Sequence, residues 1–378
     1  PPRSTLFPYT TLFRSTLVQS LAAISVKASP VLWVVTRNAE ILPAESDEIS
    51  PIQSLLWGMG RSIAHEHGGF WGGLVDMEEG TDVKIVLDTI SSAPGEDQLA
   101  IRSGKYYTPR LVPTRAPQLS GDFKLSADAS YLVSGGLGAL GIELARWLVH
   151  AGARQLLLSG RSGFAPEKQW AALAEQGDKR AAALLEMRQA GVEIVIVKAD
   201  ASDYKAMQAA LTDKRIKPLR GVVHAAGVVL PKVALEVTQA DIEYELRPKL
   251  AGAWVLHELT RELPLDFFVV FSSASGIWGS KLLTIYGAAN HFMDSLVHKR
   301  RRMGLSGLAV NWAMWGGGGM ATDDEHSRSL QRIGQRPMPP EKALVALETL
   351  LLSGTAQATV ADIDWSVLKP LFEQEPRR

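Results

Sequence analysis

The chain has 378 residues, enough for two domains of ordinary size, and its 46% hydrophobic and 21% charged side chains match soluble globular proteins. Forty basic and forty acidic side chains cancel, so no global charge attracts nucleic acid or an anionic membrane. The absence of cysteine excludes disulfides, thiolate nucleophiles and cysteine metal sites, and suits a reducing, cytoplasmic setting.

No apolar run approaches the roughly 20 residues of a membrane span, and no signal-peptide pattern opens the chain. Within residues 1–15, Thr5-Leu6-Phe7 recurs as Thr11-Leu12-Phe13 among prolines and arginines, with neither helical nor strand periodicity. That stretch reads as foreign or disordered and is set outside the fold. Residues 16–120 read as a first α/β unit. Val31 to Val35 is a short apolar run expected of a buried strand, Ile52 to His65 has helical spacing, and Gly72 to Asp76 reads as another strand. No glycine-rich turn follows its first strand, so this unit carries no phosphate cradle. Pro113, Pro117 and Ser120-Gly121 mark a linker.

Residues 121–365 alternate strands and helices. Strands are predicted at Tyr131–Val133, Gln155–Ser159, Val192–Lys198, Gly221–His224, Asp266–Phe271, Gly307–Asn311 and Ala358–Ala361. Helices are predicted at Gly138–His150, Lys168–Gln189, Tyr204–Thr212, Thr238–Arg261, Tyr286–Met303 and Glu341–Leu352. Such alternation implies an α/β fold with a doubly wound parallel sheet, Rossmann-like. Residues 366–378 read as linker.

Tyr131 to Gly141 runs from a strand through Ser134-Gly135-Gly136-Leu137-Gly138 into a helix, with Leu140 in its first turn. Glycines there let the backbone approach a pyrophosphate, whose charge the N–H groups of the helix start stabilise. At the end of the second strand, where an acidic residue would meet a free ribose hydroxyl, stand Ser159-Gly160-Arg161. An arginine pairs with a 2′-phosphate, so NADPH is the expected cofactor. Asp200 reads equally as an adenine contact or a helix N-cap. Ala225-Ala226-Gly227 leaves room for ribose and nicotinamide.

Tyr286 and Asn290 share a helix face. Ser273 ends the strand before them, and Lys249 lies on the preceding helix. Short-chain dehydrogenases/reductases need such a set: a tyrosine to protonate the carbonyl oxygen, a serine to hydrogen-bond it, and a lysine to lower the tyrosine pKa. In most of that superfamily the lysine stands four residues after the tyrosine, where this chain has Asn290. The exchanged arrangement resembles the ketoreductase domains of modular polyketide synthases. The likeness extends through His224-Ala225-Ala226-Gly227, Arg247-Pro248-Lys249, Phe271-Ser272-Ser273, Tyr286 to Asn290 and Val310-Asn311-Trp312. In the first half it runs through Leu56 to Gly60 and Trp71 to Asp76.

The resemblance implies a truncated structural subdomain followed by a complete catalytic one. Tyr286 would be the proton donor, Ser273 the carbonyl hydrogen-bonder, and Lys249 and Asn290 supports of the proton network. The substrate would be a β-ketoacyl thioester on an acyl carrier protein, delivered in cis from beyond Arg378 among neighbouring synthase domains. Two departures stand out. Ser134 replaces the usual threonine, and the Leu-Asp-Asp signature of one stereochemical class is absent near Val229-Leu230-Pro231. Trp278, eight residues before Tyr286, resembles the tryptophan of the opposite class, which implies an L-hydroxyl product. Leu283 departs from that class's Gln or His. A free-standing short-chain reductase and an inactive scaffold are the alternatives. The paired subdomains speak against the first, and the intact set against the second.

Four other motifs read as bland. Asp294-Ser295-Leu296 mimics a phosphopantetheine site but lies within a helix, and His65-Glu66-His67 has divergent spacing and no third ligand, so no metal is expected. Lys299 to Arg302 reads as a solvated helix end, and Gly316 to Ser327 as a mobile lid.

Overall fold

The computed structural model describes residues 9–23, 30–42, 49–92, 95–114, 121–316 and 325–374. The first unit comprises α1 (Tyr9–Ala23), β1 (Leu32–Arg37), α2 (Pro51–Glu66), β2 (Trp71–Met77), α3 (Val83–Ser91), β3 (Gln98–Arg102) and β4 (Lys105–Tyr107). α1 begins inside the stretch expected to lack periodic structure, which corrects that expectation. It is anchored by buried Val18 and by Gln19 Nε2, which donates to Val237 O at 2.9 Å. The four strands pair in the order β1-β2-β3-β4, parallel except for the last hairpin.

The second unit begins with β5 (Ser130–Ser134), α4 (Ala139–His150), β6 (Gln155–Gly160), α5 (Trp170–Glu175), α6 (Lys179–Gln189), β7 (Glu193–Lys198), α7 (Tyr204–Leu211) and β8 (Leu219–His224). It continues with α8 (Gln239–Leu246), α9 (Gly252–Thr260), β9 (Phe267–Ser273), α10 (Ser275–Trp278), α11 (Thr284–Arg302) and β10 (Leu308–Trp312). It ends with α12 (Glu325–Arg332), β11 (Gln335–Arg336), α13 (Pro340–Leu352), β12 (Gln357–Val360), β13 (Asp362–Ile363) and α14 (Trp365–Gln374). Seven strands form one parallel sheet in the order β12-β10-β9-β8-β5-β6-β7. β5 and β10 are buried along their whole length, as strands covered on both faces must be, which is why they read as apolar runs. The winding reverses between β5 and β8, and a ligand crevice opens at that switch point.

Three expectations need correction. The single helix over Lys168–Gln189 is two, because Gly177 takes φ +90° and Asp178 caps α6 by accepting the Arg180 and Ala181 N–H groups. Residues 365–374 are helical rather than linker. Arg300 is no solvated helix end: it is 1% exposed, lies 3.9 Å over the Phe268 ring and donates to Ser306 O. Asp294, Ser295 and Leu296 are buried helix, as read. Pro117 and Ser120 of the expected linker, and residues 317–324 of the expected lid, lie outside the described residues. Among the described residues no helix is long and apolar enough to cross a membrane.

The first unit grips the second. Arg61 on α2 donates to Gly276 O at 2.6 Å. His65 Nε2 lies 2.8 Å from Trp278 O. Glu66 accepts the N–H groups of Ala234 and Leu282, both at 2.7 Å. His65 and Glu66 of the His-Glu-His motif thus hold the end of α10, the loop after it and the loop before α8.

Candidate active site

A cleft with a cavity volume of 540 Å³ opens at the switch point. Its floor is the turn from β5 into α4. Gly135 has φ +76°, and a Cβ there would lie 2.9 Å from Ala226 Cα. A Cβ on Gly141 would strike Gly135 O at 2.2 Å, so α4 seats against the turn only because Gly141 lacks a side chain. No side chain caps α4 at Gly138, which leaves its first N–H groups to the cleft lined by Ala139 and Leu140. This cradle, with no room for a Cβ at Gly135 or Gly141 and with free N–H groups at the start of α4, fits a dinucleotide pyrophosphate.

Ser134, Leu137, Ser159, Arg161, Asp200, Ala225, Ala226 and Gly227 also line the cleft. Gly136 does not: it packs against Leu158 and Val133 O, where a Cβ would have no room, so its role is to shape the turn. Ser134 is fully buried, its hydroxyl engaged with His224 Nδ1 at 3.1 Å. Asp200 is not an N-cap, since Asp203 caps α7. Asp200 instead accepts from Ser202 and lies 3.4 Å from Arg247. Arg161 is exposed at the cleft, and Arg180 lines the cleft too. Arg180 escaped the sequence reading because the expected unbroken helix hid its place in the first turn of α6.

At the other end of the cleft three segments converge. Arg247–Ala251, between α8 and α9, is a turn of π-helix that accommodates Pro248 and carries Lys249. The lysine stem crosses Gly227, where a Cβ would lie 2.8 Å from Lys249 Cε. Its Nζ donates to Phe271 O at 2.9 Å and sits 5.1 Å from the centre of the Tyr286 ring. Ser273, ending β9, accepts from the Ser275 hydroxyl at 3.0 Å. Lys249, Ser273, Trp278 and Tyr286 all line the cleft. Asn290 does not: fully buried beneath Tyr286, it donates from Nδ2 to Tyr286 O at 2.7 Å, and its Oδ1 has no partner.

Residues 129–317 match the family model described as the KR domain, and residues 11–111 match the Rossmann fold domain of the polyketide synthase extender module SpnB. Over 95% of the chain, the solved structure of an A1-type ketoreductase is 36% identical with a TM-score of 0.85, and the chain covers 74% of it. The chain belongs to the polyketide synthase ketoreductases. The first ketoreductase of the tylosin synthase is 33% identical, with a TM-score of 0.83 over 95% of this chain and 75% of that one. Polyketide synthase GfsA of Streptomyces halstedii and the pikromycin synthase component PikAIII of Streptomyces venezuelae are each 36% identical over 94% of the chain. The chain spans 5% and 22% of their lengths. This ketoreductase is thus an oxidoreductase of the short-chain dehydrogenase/reductase superfamily, whose ketoreductase domains bind a nicotinamide cofactor.

Burial dominates the electrostatics of the ketoreductase site. It pushes the Tyr286 phenol up to about 12, with Asn290 opposing it, Glu245 adding to it and Ser273 opposing it. Burial pushes Lys249 down to about 7, against the attraction of Asp294 and Glu245. The expectation that the lysine lowers the tyrosine pKa is therefore corrected: desolvation outweighs it, because both groups lie out of water. Tyr286 accordingly holds its proton throughout the neutral range.

Proposed function

We propose that this domain reduces a β-ketoacyl thioester on an acyl carrier protein to the β-hydroxyacyl thioester, with NADPH as reductant and an L-configured hydroxyl as product. The observation that carries the reading is the convergence of Tyr286, Ser273 and Lys249 at one end of a cleft whose other end is the glycine cradle. Gly135, Gly138 and the start of α4 hold the pyrophosphate, and Arg161 and Arg180 pair with a 2′-phosphate. NADPH supplies hydride to the carbonyl carbon when bound.

The Tyr286 phenol donates its proton to the carbonyl oxygen, giving the hydroxyl, and the Ser273 hydroxyl hydrogen-bonds that oxygen. Lys249 restores the proton, and Asn290 fixes the turn of α11 that aims the phenol. Trp278, held through its carbonyl by His65 and lining the cleft, orients the acyl chain. Leu330 of α12 and Gln335 also line the cleft. Carrier protein and neighbouring synthase domains are the partners this reading requires.

Incubation with a β-ketoacyl-pantetheine thioester and NADPH, followed by chiral analysis, tests it. An L-hydroxyl product formed with NADPH in preference to NADH is expected. No reduction overturns the reading, and a D-configured product overturns the part played by Trp278.

A further inference from the structure

Glu245 stands one turn before Lys249, near the end of α8, and is 3% exposed. A buried carboxylate is costly unless it is hydrogen-bonded or paired. Its Oε1 accepts the Leu230 N–H at 2.7 Å. Leu230 follows Val228 and Val229, which line the cleft, so the carboxylate ties the substrate-side loop to the helix that bears the lysine. On its own helix Glu245 faces Asp241, which is paired with Lys232 at 2.7 Å, and, one turn on, Lys249. From α11 it is faced by Tyr286, while Asp294 acts on Lys249 from the same helix.

We propose that Glu245 is a positioning residue that pins the cleft-lining loop through Leu230 and places a negative charge beside Lys249 and Tyr286. This rests on the roles assigned to those two residues above. Burial lifts the Glu245 carboxyl to about 7, with the Leu230 N–H and Lys249 opposing and Asp241 adding to it. Near neutrality it therefore passes between neutral and charged forms. In the charged form it raises the hold of both Lys249 and Tyr286 on their protons. Both effects have one sign, so reduction persists to higher pH than it would without the charge.

Glu245→Gln keeps an oxygen for Leu230 and removes the charge, whereas Glu245→Ala removes both. The readouts are the pH profile of thioester reduction by NADPH and an NMR titration of the Lys249 ammonium, identified by its loss in Lys249→Met. In E245Q the alkaline limb and the Lys249 midpoint should both move roughly one pH unit lower, the scale of losing one nearby opposite charge. E245A should add a several-fold rise in KM. Glu245→Met, equally uncharged, gives the same reading on Lys249 should glutamine not be tolerated. An active wild type, an inert Tyr286→Phe and E245Q curves superposing on wild type in both readouts would overturn this proposal alone. A fully active Y286F would overturn the underlying assignment, and this proposal with it.

Discussion

Gly58 on α2 and Gly287 on α11 meet backbone to backbone: a Cβ on Gly58 would lie 2.3 Å from Gly287 O. The contact joins the subdomain without a cofactor cradle to the residue next to Tyr286. The first unit therefore braces the active site from behind, since it fixes the height at which the helix presents the phenol. Gly58→Ala should destabilise the protein by about 1–3 kcal/mol through overpacking. It should also lower kcat by displacing Tyr286. Gly69→Ala, with nothing within 4 Å of the added atom, is the control and should change neither. Thermal melts and reduction rates on both variants check this; a G58A protein with wild-type rate and melting point would refute it.

Tyr286→Phe keeps the ring above which Lys249 sits and removes only the acid. Reduction should fall about 10²–10⁴-fold, the usual worth of a positioned proton donor, with NADPH affinity unchanged. Fluorescence titration alongside steady-state rates separates the two. Loss of cofactor binding in Y286F would mean that the phenol shapes the cleft rather than supplying the proton.

The strands and the cradle were legible because a doubly covered parallel sheet writes itself as short apolar runs, and because a strand entering a helix through glycines has few other uses. The catalytic set was legible through spacing. Less so was anything set by three-dimensional neighbours. Gly136 reads like Gly135, yet only the fold shows that one faces the cleft and the other Leu158. Asn290 reads as sharing the helix face of Tyr286, yet only the fold shows that it lies beneath the cleft lining. The Tyr286 pKa was read from charge alone, and burial proved larger. The Gly177-Asp178 break in α5–α6 did carry a local signal, an αL glycine before an aspartate cap, and reading it would have placed Arg180.

Cofactor choice should depend on the two arginines at the outer end of the cleft. Arg161 makes no ion pair among the described residues, while Arg180 shares its charge with Asp178 at 3.2 Å. Arg161→Ala should therefore cost more NADPH affinity than Arg180→Ala. The loss should be roughly 10–100-fold, the worth of hydrogen bonds to a charged group. NADH affinity should barely change. Dissociation constants for both cofactors check this, and equal losses for NADPH and NADH would show that Arg161 does not read the 2′-phosphate.

Lys249→Met should abolish reduction yet stabilise the fold, and the pH dependence gives the sign. An unfolded lysine holds its proton up to an ordinary value of 10.5, whereas the folded one releases it near 7. Between those values the unfolded state binds more protons, so the stability of the wild type rises with pH, and its deficit against K249M shrinks. The proton-linked part of the deficit should be largest at pH 7 and below, on the order of a few kcal/mol, and should vanish by about pH 10.5. Glu245 titrates at about 7 and is held down by Lys249, so the comparison is made in the E245Q background, where the slope isolates the lysine. Opposing this, Met leaves Phe271 O without the ammonium donor, about 1–3 kcal/mol independent of pH, which lowers the whole difference curve without tilting it. Denaturant unfolding of both proteins at several pH values reads the tilt directly. A flat difference between pH 7 and 10 would mean that Lys249 keeps an ordinary affinity for its proton in the fold, and that its burial does not govern its chemistry.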